Sequence, residues 1–550
     1  MKSYTLRARE HENLLDDLLA ARGVDFVERD AFLNPDFVQG SADPYLLPDM
    51  ERAVERILAA KKNNEKVAVW SDYDVDGTSG GVMLVQFLRA LPLDVAHYIP
   101  HRHEEGYGLN AEGLSELARA GVTLVVTVDL GSSDVGPVAH AKSLGTEVIV
   151  TDHHEVPVPG PVAYALVNPK HAGSQYPFMG LCGAGVAWKL VQAILQKERP
   201  ASWGQEEEKW LLDLVGLATL SDRVPLRGEN RMLAHFGLRV LRRARRPGLA
   251  ALLDLLRIRP HTLTEDDVGF MLAPRINAAS RMDSPHSAAK LLMSADPLEA
   301  KQLAQELDTL NHARKGIVAA TVKEAKRRLA QSVESPVIVL GNPAWRPGVL
   351  GLVAGALCEA ERKPVFVWGR EGGSVIRGSC RSDGSVSVVE LMQGAHALFG
   401  EYGGHHASGG FSLPEENIHT LGDALRGAYE RTRAQAHEPQ PTVIDRELPL
   451  GELGAALPVL AQLAPFGEGH QKPLFVLPNI SLGRVRTFGK QQNHLDVELI
   501  HGTTRAAGVA FFSTPESFTK KADVGGRADI VGHVERDWRG QPRVRIVDIL

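Results

Sequence analysis

Residues 67–77 read Val-Ala-Val-Trp-Ser-Asp-Tyr-Asp-Val-Asp-Gly. The apolar run 67–70 has the length and composition of a buried strand, and it stops at a turn carrying Asp72, Asp74 and Asp76. The same pattern returns twice downstream. Residues 123–128 lead into Asp129, and residues 147–151 lead into Asp152, His153 and His154. Helical stretches at 51–62, 80–91 and 135–144 alternate with these strands. The alternation predicts an α/β fold with a parallel sheet and right-handed crossovers. Ligands of such sheets gather beyond the carboxyl ends of the strands, where these Asp and His residues fall. One more carboxylate, Asp222, follows the apolar stretch 211–220.

Hard carboxylate oxygens with imidazole, delivered from the ends of strand-like segments, suit a paired divalent-metal site. Two cations about 3.5–4 Å apart would share a water, lower its pKa and clamp a scissile phosphate. Mixed carboxylate and imidazole ligands favour Mn²⁺ and permit Mg²⁺. Taken alone, Asp74-x-Asp76-Gly77 is also an ordinary turn, and Asp152-His153-His154 is short enough to arise by chance. The information lies in their ordered combination after successive strands, which points to a metal-dependent hydrolase of phosphate esters or anhydrides.

At 550 residues the chain is too long for a single core. Its 44% hydrophobic and 23% charged residues are ordinary for a globular protein. A net charge of −6 does not advertise nucleic-acid binding, although a local basic groove can coexist with acidic faces elsewhere. Cys182, Cys358 and Cys380 are too few and too scattered for a disulfide frame or a zinc knuckle. The first 30 residues lack a signal-peptide apolar core, and no window reaches membrane-span length. These features predict a cytoplasmic protein.

Residues 1–50 read as an N-terminal helical arm, amphipathic at 10–21 and broken by Asn34-Pro35 and Asp43-Pro44. Residues 51–297 would form the catalytic domain, with a helical insertion from about 180 that carries Arg239, Arg242, Arg243, Arg245 and Arg246. Residues 298–334 read as one long connecting helix. A second α/β domain at 335–431 has strands at 337–340 and 364–368, a helix at 349–360, and the glycine-rich run Gly-Gly-His-His-Ala-Ser-Gly-Gly at 403–410. A polar linker at 432–442 precedes short strands at 473–477, 480–486, 494–499, 505–512 and 529–549, the last turning at Asp537-Trp538-Arg539-Gly540. Short strands with little helix predict a five-stranded OB-fold barrel over 442–550.

The order of motifs resembles the DHH phosphoesterase superfamily, and most closely its RecJ-type single-stranded-DNA-specific exonucleases, from about residue 45 to 550. The resemblance rests on Ser71-Asp72-Tyr73-Asp74-Val75-Asp76-Gly77, Asp152-His153-His154 and Leu181-Cys182-Gly183-Ala184-Gly185-Val186-Ala187-Trp188-Lys189. Pro274-Arg275-Ile276-Asn277-Ala278-Ala279 with Arg281, Gly404-His405 and Pro465-Phe466-Gly467-Glu468-Gly469 belong to the same pattern. It implies one metal on Asp74 and Asp129, and a second on Asp76, Asp129, His153 and Asp222, with Asp129 bridging. It also implies His154 facing the scissile phosphate and Asp152 orienting the histidines. Asp72 is either a weak ligand or a loop hydrogen-bonder, the second being favoured. Two places depart from the pattern. Leu130 stands where the family has asparagine, and Trp345-Arg346-Pro347-Gly348 replaces Trp-His-x-Gly, so Arg346 would make the phosphate contact.

Arg275, Asn277, Arg281, Arg346, Ser379, Arg381, Gly404, His405 and His406 are the expected substrate contacts, since guanidinium groups and glycine-rich backbone hold phosphate well. Two α/β halves around one long helix would leave a narrow cleft for a single strand. The second half would grip the 5′ end, the metals would release 5′-mononucleotides, and Arg484, Arg486, Phe488, Lys490 and Trp538 of the barrel would hold the incoming strand. The alternatives are a DHH-family phosphatase or short-oligonucleotide nuclease, which would have no use for residues 442–550, and a non-catalytic DNA-binding scaffold, in which a lost ligand would be expected. The resemblance further implies DNA recombination and repair as the setting, a monomer, and handover from a single-strand-binding protein.

Overall fold

A computed structural model describes residues 3–370, 375–432, 441–489 and 492–550. Lys490 and residues 433–440 of the expected linker lie outside the described residues. The chain divides into two compact units, one of Asp43–Asp222 with Gly237–Pro439, the other of Met1–Ala42, Arg223–Phe236 and Gln440–Leu550.

The first unit contains a five-stranded, all-parallel sheet in the order Asp94–Tyr98, Lys66–Ser71, Val122–Val128, Glu147–Thr151, Ala165–Val167. Its three middle strands are almost wholly buried, which explains their continuous apolar runs. The outer strands Asp94–Tyr98 and Ala165–Val167 escaped the sequence reading, the first because its polar residues, Asp94 and His97, break the apolar run. Helix Val75–Ala90 begins five residues before the expected start at Gly80. Asp74 and Asp76 are therefore not on a free loop. Asp74 is the N-cap, its carboxylate accepting the Asp76 and Gly77 N–H groups at 2.8 and 3.1 Å, a cap worth about 1 kcal/mol. Asp222 follows the helix Leu212–Thr219, not a strand; an eight-residue apolar run does not separate the two by periodicity.

Helix Pro297–Leu329 spans 33 residues from its Asp296 cap, about 50 Å of helix. Beyond it lies a second sheet in the order Tyr402–His405, Ser408–Leu413, Ile376–Arg381, Val365–Gly369, Ile338–Gly341, of which only the last pair is parallel. The glycine-rich run is accordingly an edge β-hairpin and not a loop. Glycine is required where the two strands close: a Cβ on Gly404, at φ +147°, would stand 2.3 Å from the Ser408 carbonyl oxygen.

In the other unit Phe475–Phe488 pairs with both His494–His501 and Arg527–Arg536, and Thr504–Ala510 and Pro542–Ile549 complete a closed five-stranded barrel. The two strands expected at 473–477 and 480–486 are one 14-residue strand bent by irregularities near Leu477 and Leu482. Phe475, Leu477, Leu482, Val497 and Ile530 fill the barrel, and Leu18, Leu19 and the helix Leu453–Leu463 pack in the same core. The N-terminal helix is Leu14–Ala20, capped by Asn13, shorter than the expected 10–21. Tyr4–Leu6 pairs in parallel with Thr442–Ile444, and the Arg231 guanidinium donates to the Leu463 carbonyl at 3.0 Å.

Candidate metal centre

The carboxyl ends of the three middle strands bring six expected side chains together, and the end of the helix Leu212–Thr219 adds a seventh, Asp222. Ligand atoms of Asp72, Asp74 and Asp129 lie within 4.8 Å of one another, as do those of Asp76, His153 and Asp222, and those of Asp129, His153 and His154. Asp76 is wholly buried, and its two oxygens accept the N–H groups of Gly183 at 2.7 Å and Ala184 at 2.8 Å. Those donors open the helix Gly183–Lys197, so two helix N-termini, this one and that of Val75–Ala90, face the carboxylates and partly offset their charge. This gives the Leu181–Lys189 motif a physical role. Gly183 is glycine because a Cβ there would stand 2.4 Å from the Asp129 Cβ.

Asp129 has a left-handed backbone, φ 65°, which aspartate tolerates better than most residues, with its N–H on the Thr151 carbonyl at 3.0 Å. The neighbouring Leu130 is buried in the hydrophobic core beside the sheet. His153 Nε2 is 3.1 Å from Asp129 Oδ1, 3.7 Å from Asp222 Oδ2 and 3.9 Å from Asp76 Oδ2. No hydrogen-bond partner reaches the buried Nε2.

Burial, reinforced by mutual repulsion, drives the carboxyl groups of Asp72, Asp76, Asp129 and Asp222 well above the usual range. Burial pushes His153 down to about 4, so the ring is neutral and its Nε2 lone pair is open. Asp72 Oδ1, Asp129 Oδ1 and His153 Nε2 are all buried without a hydrogen-bond partner. Orphaned buried acceptors in a crowd of carboxylates are costly in a bare protein and are what divalent cations satisfy. The donor set fits Mn²⁺ or Mg²⁺. Asp72 Oδ1 has no hydrogen-bond partner and falls in a group with Asp74 and Asp129, the arrangement that the weak-ligand alternative for Asp72 requires.

Asp152 holds the histidines. Its Oδ1 accepts the His153 N–H at 2.7 Å and lies 2.8 Å from His154 Nδ1, while Oδ2 accepts the Ser132 N–H at 2.9 Å. Burial alone would raise this carboxyl, but the His154 hydrogen bond and charge outweigh it and leave it well below the ordinary range. The same pair raises His154, against its own burial. His154 is the more open of the two rings, with 38% of its side chain exposed.

The expected substrate residues scatter more. Arg275 is buried in an ion pair with Asp308 at 2.8 Å and donates to the Met271 carbonyl, so it is not brought to the site. Asn277 Oδ1 accepts the Val75 N–H at 2.9 Å. Arg281 donates to the Gly348 carbonyl at 3.1 Å, and burial lowers its guanidinium to about 9. Arg346 occupies the N-cap position of the helix Pro347–Glu361 without a side-chain cap bond. A Cβ on Gly351 of that helix would lie 3.0 Å from Arg381 Nη2 and 3.6 Å from Ser379 Oγ. Gly404, His405 and His406 are exposed on the edge hairpin.

Sequence reading missed Arg102 and two tyrosines. Arg102 lies over the Tyr73 ring at 4.6 Å, and its charge bears on both Asp72 and Arg281. Tyr107 donates to the Asp129 carbonyl at 3.2 Å and stands edge-on to His154. Reading 94–98 as a strand would have flagged Pro100-His101-Arg102-His103 as another strand-end segment.

The match to known proteins covers the whole layout. The DHH family N-terminal domain matches residues 66–219, the DHHA1 domain 331–430 and the RecJ OB domain 444–547. The single-stranded-DNA-specific exonuclease RecJ of Bacillus subtilis is 33% identical over 543 residues, covering 97% of this chain and 67% of its own. The Salmonella typhimurium protein of the same name is 32% identical over 559 residues, covering 97% and 95%. The crystal structure of Thermus thermophilus RecJ in complex with Mn²⁺ superposes with a TM-score of 0.81 at 27% identity, over 100% of this chain and 79% of that one. Its Mg²⁺ complex gives 0.74 at 26%, over 100% and 78%.

Proposed function

The chain belongs to the RecJ family of single-stranded-DNA-specific exonucleases, and we propose that it degrades single-stranded DNA from the 5′ end to 5′-mononucleotides. The observation that carries the proposal is the convergence of five aspartates and His153 around acceptors that no protein donor satisfies. Asp74 and Asp129, with Asp72, would hold one divalent cation; Asp76, Asp129, His153 and Asp222 would hold the other. Mn²⁺ is favoured, with Mg²⁺ as the alternative. Bound there, the cations supply Lewis acidity toward the scissile phosphate and its attacking water.

The chain's own residues do the rest. His154, held by Asp152, keeps a proton on Nδ1 and presents its other nitrogen to the phosphate. Arg102 and Arg281 place positive charge beside the carboxylates, where a phosphodiester would otherwise be repelled. Arg346, at the head of the helix Pro347–Glu361, and Ser379, Arg381, Gly404, His405 and His406 of the second sheet and its hairpin bind the 5′-terminal phosphate. In the barrel, exposed Trp538 with Arg539 stacked 4.4 Å over it, and exposed Phe512, offer stacking surfaces for single-strand bases. Arg484, Arg486 and Phe488 lie on the same barrel. The setting is DNA recombination and repair in the cytoplasm, by a monomer that receives its strand from a single-strand-binding protein.

The test is digestion of 5′-labelled and 3′-labelled single strands with Mn²⁺, beside duplex and pyrophosphate controls and an Asp76→Ala protein. Immediate release of 5′-labelled mononucleotide from single strands only, lost in the variant, is the expected result. Pyrophosphate cleavage with intact DNA would instead make the chain a phosphatase, and binding without hydrolysis would make it a scaffold.

A further inference from the structure

Helix Ala273–Met282 carries Arg275, Asn277 and Arg281, and all three side chains reach protein partners. The Asn277 contact is the informative one. Val75 is the first residue of the helix that bears Asp76, and the first four N–H groups of a helix have no intrahelical partner of their own. Here the donors at the start are accounted for one by one. Asp74 Oδ1 accepts from both Asp76 and Gly77, the Asp74 carbonyl accepts from Thr78, and Asn277 Oδ1 accepts from Val75.

Asp74 thus serves two donors with a single oxygen and keeps Oδ2 out of the cap. Without Asn277, the Val75 N–H would lose that acceptor, and the carboxylate of the adjacent Asp74 could turn toward it. Asn277 is itself held firmly. Arg275 ties its helix to Asp308 of the long helix, and Arg281 ties it to the Gly348 carbonyl. The second contact is tight, since a Cβ on Gly348 would stand 2.7 Å from the Arg281 carbonyl oxygen.

We propose that Asn277 is a positioning residue: by holding the Val75 N–H it keeps the free oxygen of Asp74 available to a divalent cation, and it does not contact DNA. The proposal rests on the metal-dependent reading above. It also has a readout that needs no catalysis. Mn²⁺ is titrated calorimetrically into the DNA-free full chain, as wild type, Asn277→Ala and the nearly isosteric Asn277→Asp, which keeps an acceptor oxygen. Hydrogen exchange across residues 72–78 is followed in the same proteins, and kcat and KM are measured on single strands.

Asn277→Ala should bind Mn²⁺ about tenfold more weakly, ~1.4 kcal/mol. Its exchange at 72–78 should be faster and its kcat lower, with KM for DNA held within about twofold. Asn277→Asp should recover most of the Mn²⁺ affinity. Wild-type Mn²⁺ affinity in Asn277→Ala overturns the proposal, most clearly if KM rises, as a direct DNA contact requires. Weakened Mn²⁺ binding in Asn277→Ala supports it whether or not the wild type cuts DNA, so failure of the nuclease reading is distinguishable from failure of this one.

Discussion

Replacing Gly183 by alanine puts a methyl carbon 2.4 Å from the Asp129 Cβ and 2.6 Å from its Oδ1, far inside the ~3.5–4.0 Å at which such atoms pack. Neither side yields easily. The Gly183 and Ala184 N–H groups hold both oxygens of Asp76, and Asp129 already sits at φ 65° with its N–H on Thr151. Overpacking of this kind costs about 1–3 kcal/mol. The relief available is a shift of Asp129 or Asp76 by most of an ångström, and misplacement on that scale lowers rates by about 10²-fold. Gly183→Ala should therefore melt a few degrees lower, need more Mn²⁺ for half-saturation, and lose about two orders of magnitude in kcat on single-stranded DNA. Gly136→Ala is the control, because a Cβ there meets nothing, and it should be neutral or slightly stabilising. Wild-type Mn²⁺ dependence and rate in Gly183→Ala would refute the claim that close approach at this glycine sets the ligand geometry.

Arg275→Met should lower stability by about 2–3 kcal/mol, because it takes the guanidinium from the part-buried Asp308 and leaves it only the longer contact with His312 at 3.4 Å; a raised KM for DNA with unchanged melting would restore Arg275 to the substrate contacts. Trp538→Ala and Phe512→Ala should each weaken binding to long single strands by about tenfold, at ~1–3 kcal/mol per stacked base, and leave dinucleotide hydrolysis unchanged. Equal losses in both assays would remove stacking from the account. Point changes are preferable to deleting 442–550, which would uncover Leu18 and Leu19. Burial, with the charges of Arg231, Arg22 and Arg227, lowers His470 from 6.5 to about 3. The unfolded chain then takes up a proton that the folded one refuses between those values, so this contribution to stability is present above pH 6.5 and is lost as pH falls toward 3. Thermal melts from pH 7.5 to 5.5 should fall more steeply for the wild type than for His470→Gln; parallel curves would contradict the shift.

The ligand cluster was legible because its residues terminate buried strands, and buried parallel strands are continuous apolar runs. Asp74, Asp76, Asp129, Asp152 and His153 needed only that pattern. What stayed hidden depended on contacts distant in sequence. Nothing near Arg275 signals that Asp308 will neutralise it, and nothing near Asn277 signals that its acceptor will meet Val75. Arg102 was missed through the mixed polarity of 94–98, which reads as neither strand nor helix. The helix start at Val75 was obscured by glycine and threonine at 77–80, although Asp74 is a good cap in hindsight. The glycine-rich run was read only as phosphate-holding backbone, because composition alone does not reveal a hairpin closed by glycine.

The Tyr4–Leu6 strand and the Leu14–Ala20 helix have consequences for synthesis of the chain. Their partners are Thr442–Ile444 and a core built from residues 448–549, with Arg22 bonded to Asp445 across 423 positions. At about 5–20 residues per second, roughly 20–80 s separate emergence of the arm from emergence of its partners. Leu18 and Leu19 wait through that interval with their apolar surface uncovered, while the sheet carrying the metal ligands can form on local contacts. The arm is thus the first part of the chain to be made and among the last able to fold. Truncating the C-terminus would leave Tyr4–Leu6 without its strand partner and Leu18 and Leu19 without the core that covers them.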